Sequence, residues 1–137
     1  MSEDVFTRQE AGAFLEKVLN ALLDPALDPE QLADFFTPDY QQEADGAKLD
    51  YDGFITHARS VKSTIAQAIV TIDEVIVSGP TIAEIHTIDA TKHDGRRLKV
   101  KVIGFFTIRD GKICRVDELT HLLEGGAEDR DIGHRTH

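Results

Sequence analysis

A chain of 137 residues is one domain's worth and long enough to bury a sizeable core. Its 25 acidic residues against 15 basic ones leave a formal charge of -10, which argues against nucleic acid and anionic membrane as partners, since both demand basic patches. The single cysteine, Cys114, excludes an internal disulfide and fits a reducing compartment. Met1-Ser2-Glu3-Asp4 offers neither a basic n-region nor an apolar run, and no segment approaches the ~18 apolar residues of a membrane span, so a cytoplasmic protein is expected.

The first element announces itself at Thr7-Arg8-Gln9-Glu10, the spacing at which a hydroxyl and a carboxylate satisfy amide donors at a helix start. Ala11, Phe14, Leu15, Val18, Leu19 and Leu22 then recur on one helical face until Asp24-Pro25 stops the run. Asp28-Pro29-Glu30 is a second start signal, leading through Leu32, Phe35 and Phe36 into a short helix that Pro38 is expected to end. A third helix is predicted from about Asp52 to Ile65, with Phe54, Ala58, Val61 and Ile65 on one face. Beyond it everything alternates with period 2: residues 68–78, a Gly79-Pro80 turn, residues 82–92, a turn at His93-Asp94-Gly95, and then the hairpin of residues 98–123. In that hairpin Asp110-Gly111 tolerates the positive φ of a tight turn.

Helices followed by strands ending in the run from Phe106 to Glu118, F-x-I-R-D-G-K-I-x-R-x-D-E from Phe106, resemble the SnoaL-like branch of the NTF2-like superfamily, over about Phe6 to Gly125. The resemblance implies an α+β fold, with three N-terminal helices packed on a strongly curved, mostly antiparallel sheet around a conical pocket. It also implies that residues 39–46, too polar for a core strand, form a short edge strand beside the pocket mouth. Residues 1–126 are read as one domain and 127–137 as a polar C-terminal arm, docked through its one apolar anchor, Ile132, with Arg130 and Arg135 reaching acidic groups.

Strand parity selects the candidate pocket residues. In the last strand the more apolar set, Cys114, Val116, Glu118, Thr120 and Leu122, is taken as cavity-facing, as the resemblance also implies. The set before it is Ala83, Ile85, Thr87, Asp89 and Thr91, with Glu84, His86 and Ile88 outward. Between them lie Leu98, Val100, Val102, Gly104 and Phe106. Asp89 and Glu118 are thereby the candidate catalytic carboxylates, because desolvation in an apolar pocket suits a carboxyl to general acid or base work. Tyr40, Tyr51 and His57 are expected at the mouth, and Thr87, Phe106, Val116 and Thr120 complete the ligand-binding set.

Ketosteroid isomerases and polyketide cyclases of the resembling superfamily carry an acid where this chain has Gly104. The isomerase base falls near Ala44, with Asp45 beside it, and the oxyanion tyrosine near Asn20; none of the three is kept, and no Asp-Arg-Asp set of the epoxide hydrolase kind can be placed. The histidines show no metal-binding spacing and no Gly-rich phosphate loop is present, so neither metal nor cofactor is expected. Two readings remain: a protein that binds, and transforms by acid–base chemistry, a small, largely apolar or weakly polar molecule; or a non-catalytic homodimeric module. For the homodimer, the outer sheet face with Ile103, Phe105, Leu119 and Leu123 would be the interface.

Overall fold

The computed structural model of the chain describes residues 3–136. Helix α1 (Arg8–Leu23) begins as its sequence demands: the Thr7 hydroxyl accepts the Glu10 amide at 3.1 Å, and the Glu10 carboxylate accepts the Thr7 amide at 2.8 Å. Its last carbonyls are closed from outside, by the Lys62 ammonium donating to Ala21 and Asp24 oxygens at 2.7 and 2.6 Å. A single 3-10 turn, Pro29–Asp34, follows under an Asp28 cap. Helix α2 (Tyr51–Thr64) is capped by Asp50, whose carboxylate accepts the Gly53 amide at 2.9 Å.

Strands β1 (Phe36–Ala44), β2 (Ala47–Asp50), β3 (Ile65–Ser78), β4 (Thr81–Lys92), β5 (Arg97–Arg109) and β6 (Lys112–Glu124) make one sheet in the order β2-β1-β6-β5-β4-β3. All neighbours are antiparallel except β1 and β6. The β5–β6 hairpin turns on Asp110 and Gly111, with φ of +54° and +78°. Pro38, expected to end a helix, instead lies within β1. It is tolerated because the ladder to β6 shifts register between Phe36 and Gln41. Nor is β1 an edge: it lies between β6 and the short β2, which takes that place.

The helices cover the concave face of the strongly curved sheet, and two cores fill the space between. One is rich in aromatic side chains, with Phe36, Tyr40, Phe54 and Phe106 among Leu15, Val18, Ile82 and Ile113. The other is aliphatic, with Leu23, Val61, Ile65, Leu98, Val100 and Val102.

Two parities differ from expectation. A β-bulge leaves Cys114 unpaired, since Ile108 faces Ile113 but Thr107 faces Arg115. Ile113 is thus buried and Cys114 half-buried, its thiol 3.4 Å from the Thr107 carbonyl. In β4 the inward set is Ile82, Glu84, His86, Ile88, Ala90 and Lys92, the reverse of the sequence reading.

Residues 125–136 fold back over the open end of the cone, with Ile132 buried in the aliphatic core as the docked-arm expectation required. Arg135 binds within the arm itself, its guanidinium 2.8 Å from Asp131 and 2.5 Å from the Glu128 carbonyl, while Arg130 stays exposed.

Candidate functional site

The aliphatic core borders a partly open cavity of about 70 Å³. Its walls come from Leu19 and Leu23 of α1, Val61 of α2, Ile88 of β4, and Val100 and Val102 of β5; His57, His86, Glu118 and Thr120 are its polar lining, and Ile132 and Gly133 close it. Three larger hollows, about 400, 410 and 330 Å³, are more open: one along β1, β2 and Arg115, one between α1 and the 3-10 helix, and one between the end of α1 and the start of β3. None of them is lined by Glu118 or a histidine, so the smaller space is the chemically equipped one.

Backbone pairing builds the polar cluster beside this space. Glu84 faces Gly104 across β4 and β5, Gly104 faces Glu118 across β5 and β6, and Glu118 faces Ala44 of β1. Two acids thus flank a residue without a side chain. A Cβ on Gly104 would stand 3.0 Å from the Glu118 Cβ and 3.1 Å from the Asp117 carbonyl, so the gap between the acids is filled by backbone alone. One residue pair along, His86 and Thr120 flank Val102. Glu84 Oε1 is bonded to His86 Nδ1, and Glu84 Oε2 is buried without a hydrogen-bond partner among the described residues.

Burial pushes the Glu118 carboxyl up to about 7; the negative charges of Glu84 and Asp45 push the same way and His86 opposes them. Burial lowers His57, whose Nδ1 meets the Arg135 carbonyl at 2.8 Å. In the neutral ring that contact requires a proton on Nδ1, which leaves Nε2 as an acceptor. Thr120 is tied to Asp45, its amide donating to Oδ1 at 2.7 Å and its hydroxyl to Oδ2. The chemistry present is a carboxyl that titrates near neutrality and a neutral imidazole, both on the wall of an apolar space.

Comparison with known proteins bears on what kind of cone this is. Residues 13–116 match the SnoaL-like domain family. The chain belongs to that family. A relative, an uncharacterized protein of Schizosaccharomyces pombe, is 35% identical over 125 residues, 91% of this chain and 96% of its own. Among solved structures, AusH from Aspergillus nidulans superposes with a TM-score of 0.72 at 11% identity, over 94% of this chain and 92% of its own. An M. tuberculosis LEH-like epoxide hydrolase gives 0.66 at 20%, over 93% and 90%. A de novo designed protein with a curved β-sheet gives 0.64 at 17%, over 93% of each chain. A cone shared with a designed protein locates no chemistry, so the site rests on its own residues.

Of the residues selected from the SnoaL-like sequence, His57, Glu118 and Thr120 line the cavity. Asp89 does not: it lies on the outer face, bonded to Arg97 and more than a third exposed, and Thr87 beside it donates to Asp73 at 2.7 Å. Tyr40, Phe106 and Val116 are buried in the aromatic core, away from the cavity lining. The Tyr40 hydroxyl donates to Gln42 at 2.9 Å, and burial first, then Glu118 and Asp117, hold it in its neutral form. Tyr51 opens α2 at the edge of that core. Sequence reasoning missed Glu84, His86 and the lid residue Gly133; the isolated Gly104 between two acidic strands was the available signal for the first two. Among the described residues no helix is long and apolar enough to cross a membrane, and no three His, Cys, Asp or Glu side chains cluster as metal ligands.

Proposed function

We propose that this SnoaL-like chain binds a small, largely apolar molecule at the aliphatic end of the cone and moves a proton on it, with Glu118 as the general acid or base and His57 as the second polar contact. The observation that carries the reading is Glu118, a carboxyl on the wall of an apolar cavity with its titration raised to about 7. At neutral pH such a group exists in both forms, so it can give or take a proton. Thr120 and His57 supply further hydrogen-bonding atoms, and the absence of arginine from the lining favours a neutral ligand over an anionic one. The enzyme names of some structural neighbours agree with this, but at their identities they speak only for the fold.

The test is a panel of neutral cyclic ketones and alcohols followed through methyl NMR. Binding is expected to shift Val61, Ile88, Val100 and Val102, with Glu118→Gln weakening it. Shifts confined to Ile69, Ile76 and Ile103 on the outer face would refute the site.

A second reading concerns that outer face. Ile103, Phe105, Leu119 and Leu123 are 51%, 57%, 67% and 49% exposed, and Ile103 is paired with Leu119 across β5 and β6. An apolar stripe of this kind is most commonly covered by two-fold pairing with a second copy. We read it as a homodimer interface. Phe105→Glu should then halve the sedimenting mass, and a wild type already monomeric at micromolar concentration would remove the reading. A dimer without any cavity ligand would make the chain a non-catalytic module.

A further inference from the structure

The cavity and the C-terminal arm compete for one volume. At about 70 Å³ the cavity has room for a few waters, whereas pockets that hold organic ligands run to roughly 300 Å³ or more. The arm supplies part of its lining and fills space beside it. Ile132 packs among Leu23, Val61, Leu98, Val100 and Val102, the side chains that line the rest of the cavity. Gly133 lies against Thr120 so closely that a Cβ there would stand 2.6 Å from the Thr120 Cγ2. The Arg135 carbonyl takes the hydrogen bond of His57 Nδ1. The arm therefore touches the apolar wall and two of the polar groups of the site at once.

The arm adds no strand to the sheet and is held by Ile132 and by point contacts: Asp129 pairs with buried Lys92 at 2.7 Å, Glu128 with Arg96 at 3.1 Å and Lys92 at 3.5 Å, His134 lies 3.8 Å from Asp45, and the Arg135 carbonyl takes the His57 bond. Docking leaves Asp129 Oδ1, His134 Nδ1 and Arg135 Nε buried without a hydrogen bond, three of the six such side-chain atoms among the described residues; the first two have only longer ion-pair contacts, 3.9 Å to Arg135 and 3.8 Å to Asp45. Unsatisfied buried polar atoms disfavour the docked state and are relieved when the arm meets water. The chain also has a joint at the right place: Gly125 has φ of +154°, and a Cβ on it would lie 2.9 Å from Asp129, so the Gly125-Gly126 pair turns where other residues would resist.

We propose that the C-terminal arm is an intramolecular occupant of the ligand site, Ile132 holding the place of a branched apolar group of the ligand, and that binding requires the arm to swing out about Gly125-Gly126. This rests on the cavity being the ligand site. The ligand it implies is a neutral molecule with an aliphatic group that replaces the Ile132 side chain and a hydroxyl or carbonyl that takes over hydrogen bonding from the arm. Apparent affinity is then the intrinsic affinity reduced by the fraction of chains whose arm is out.

The experiment uses 1-aminoanthracene, a neutral apolar fluorophore, on the whole chain, on Ile132→Ser and on a chain ended after Gly126. Each is paired with Val102→Phe, which fills the cavity and so separates cavity binding from binding to the exposed outer stripe. Both arm variants are expected to bind roughly 10-fold or more tightly than the whole chain, as when the open form is a minor population, with Val102→Phe abolishing the gain. Equal affinity in all three, removed by Val102→Phe, overturns the arm as occupant and leaves the ligand site standing. Binding that Val102→Phe never alters overturns the ligand site and the arm's role with it. Should the shortened chain fail to keep β5 and β6 protected in hydrogen exchange, Ile132→Ser decides alone.

Discussion

The aromatic and aliphatic ends of the cone fill the same concave face with different materials, and the consequences diverge. Around Phe54 the rings of Phe36 and Tyr40 lie 4.5 and 4.8 Å away, centroid to centroid, and that end becomes solid. At the other end branched aliphatic side chains leave a gap, and the residues bordering it include Glu118, His57 and His86. Aromatic surface there would have stabilised the fold more and left nowhere for a ligand. The difference shows how one sheet separates the work of holding the chain together from the work of its site.

The largest expected effect tests the solid end. Phe54→Ala should cost about 3–5 kcal/mol, read from urea unfolding, because a large ring leaves a space its neighbours cannot collapse into. Val100→Ala, on a wall that already lacks partners on one side, should cost roughly 1–2 kcal/mol. A Val100→Ala cost well above about 2 kcal/mol, more than the transfer of two carbons accounts for, would mean that a new cavity opens there as it does around Phe54, and the contrast fails.

Next in size is the charge at the hollow end. Folding raises the Glu118 carboxyl from 4.5 to about 7, so the folded state holds that proton more tightly than the unfolded state does. Its contribution is thus most favourable below pH 4.5 and is lost progressively as pH rises to about 7. Glu118→Gln is accordingly expected to stabilise the chain above pH 7 by up to roughly 3 kcal/mol, with the gain closing toward pH 4.5. His57 has the opposite sign: burial keeps it neutral, so its contribution falls as pH drops below 6.5. Comparing wild type with Glu118→Gln at each pH cancels that second effect. A gain independent of pH would show that Glu118 is not desolvated by the cavity.

How much of this was legible in the sequence follows the same division. The solid end was readable because its signals are local: Thr7 and Glu10 cap α1, and Asp110-Gly111 turns the last hairpin. Ile132 was readable as an anchor because it is the one large apolar side chain in a charged segment. The site was harder, because parity arguments need polar and apolar residues to alternate in the direction the fold uses. In β4 that contrast is inverted, with Glu84, His86 and Lys92 inside and Ala83 and Ile85 outside. Asp89 looked like the pocket acid only because its strand was turned over. Pro38 misled for a related reason: the strand holding it pairs in parallel with β6, more than half the chain away, and no local pattern announces such a partner.

The smallest effect falls on Gly104, where the two acids meet. Alanine suits a strand better than glycine by roughly 0.5–1 kcal/mol, so on backbone grounds alone Gly104→Ala should stabilise the sheet. Against that, the added methyl would stand 3.0 Å from the Glu118 Cβ and 3.1 Å from the Asp117 carbonyl, and backbone oxygen cannot rotate away. Overpacking of this kind costs about 1–3 kcal/mol, which leaves a net loss of about 1–2 kcal/mol in urea unfolding. The methyl would also add apolar surface against Glu118, so its carboxyl should titrate above its present value of about 7 in carboxyl-detected NMR. A stabilised variant whose Glu118 titrates unchanged would mean that the strand relaxes freely at this point. The missing side chain would then have no part in setting the acidity of the hollow end.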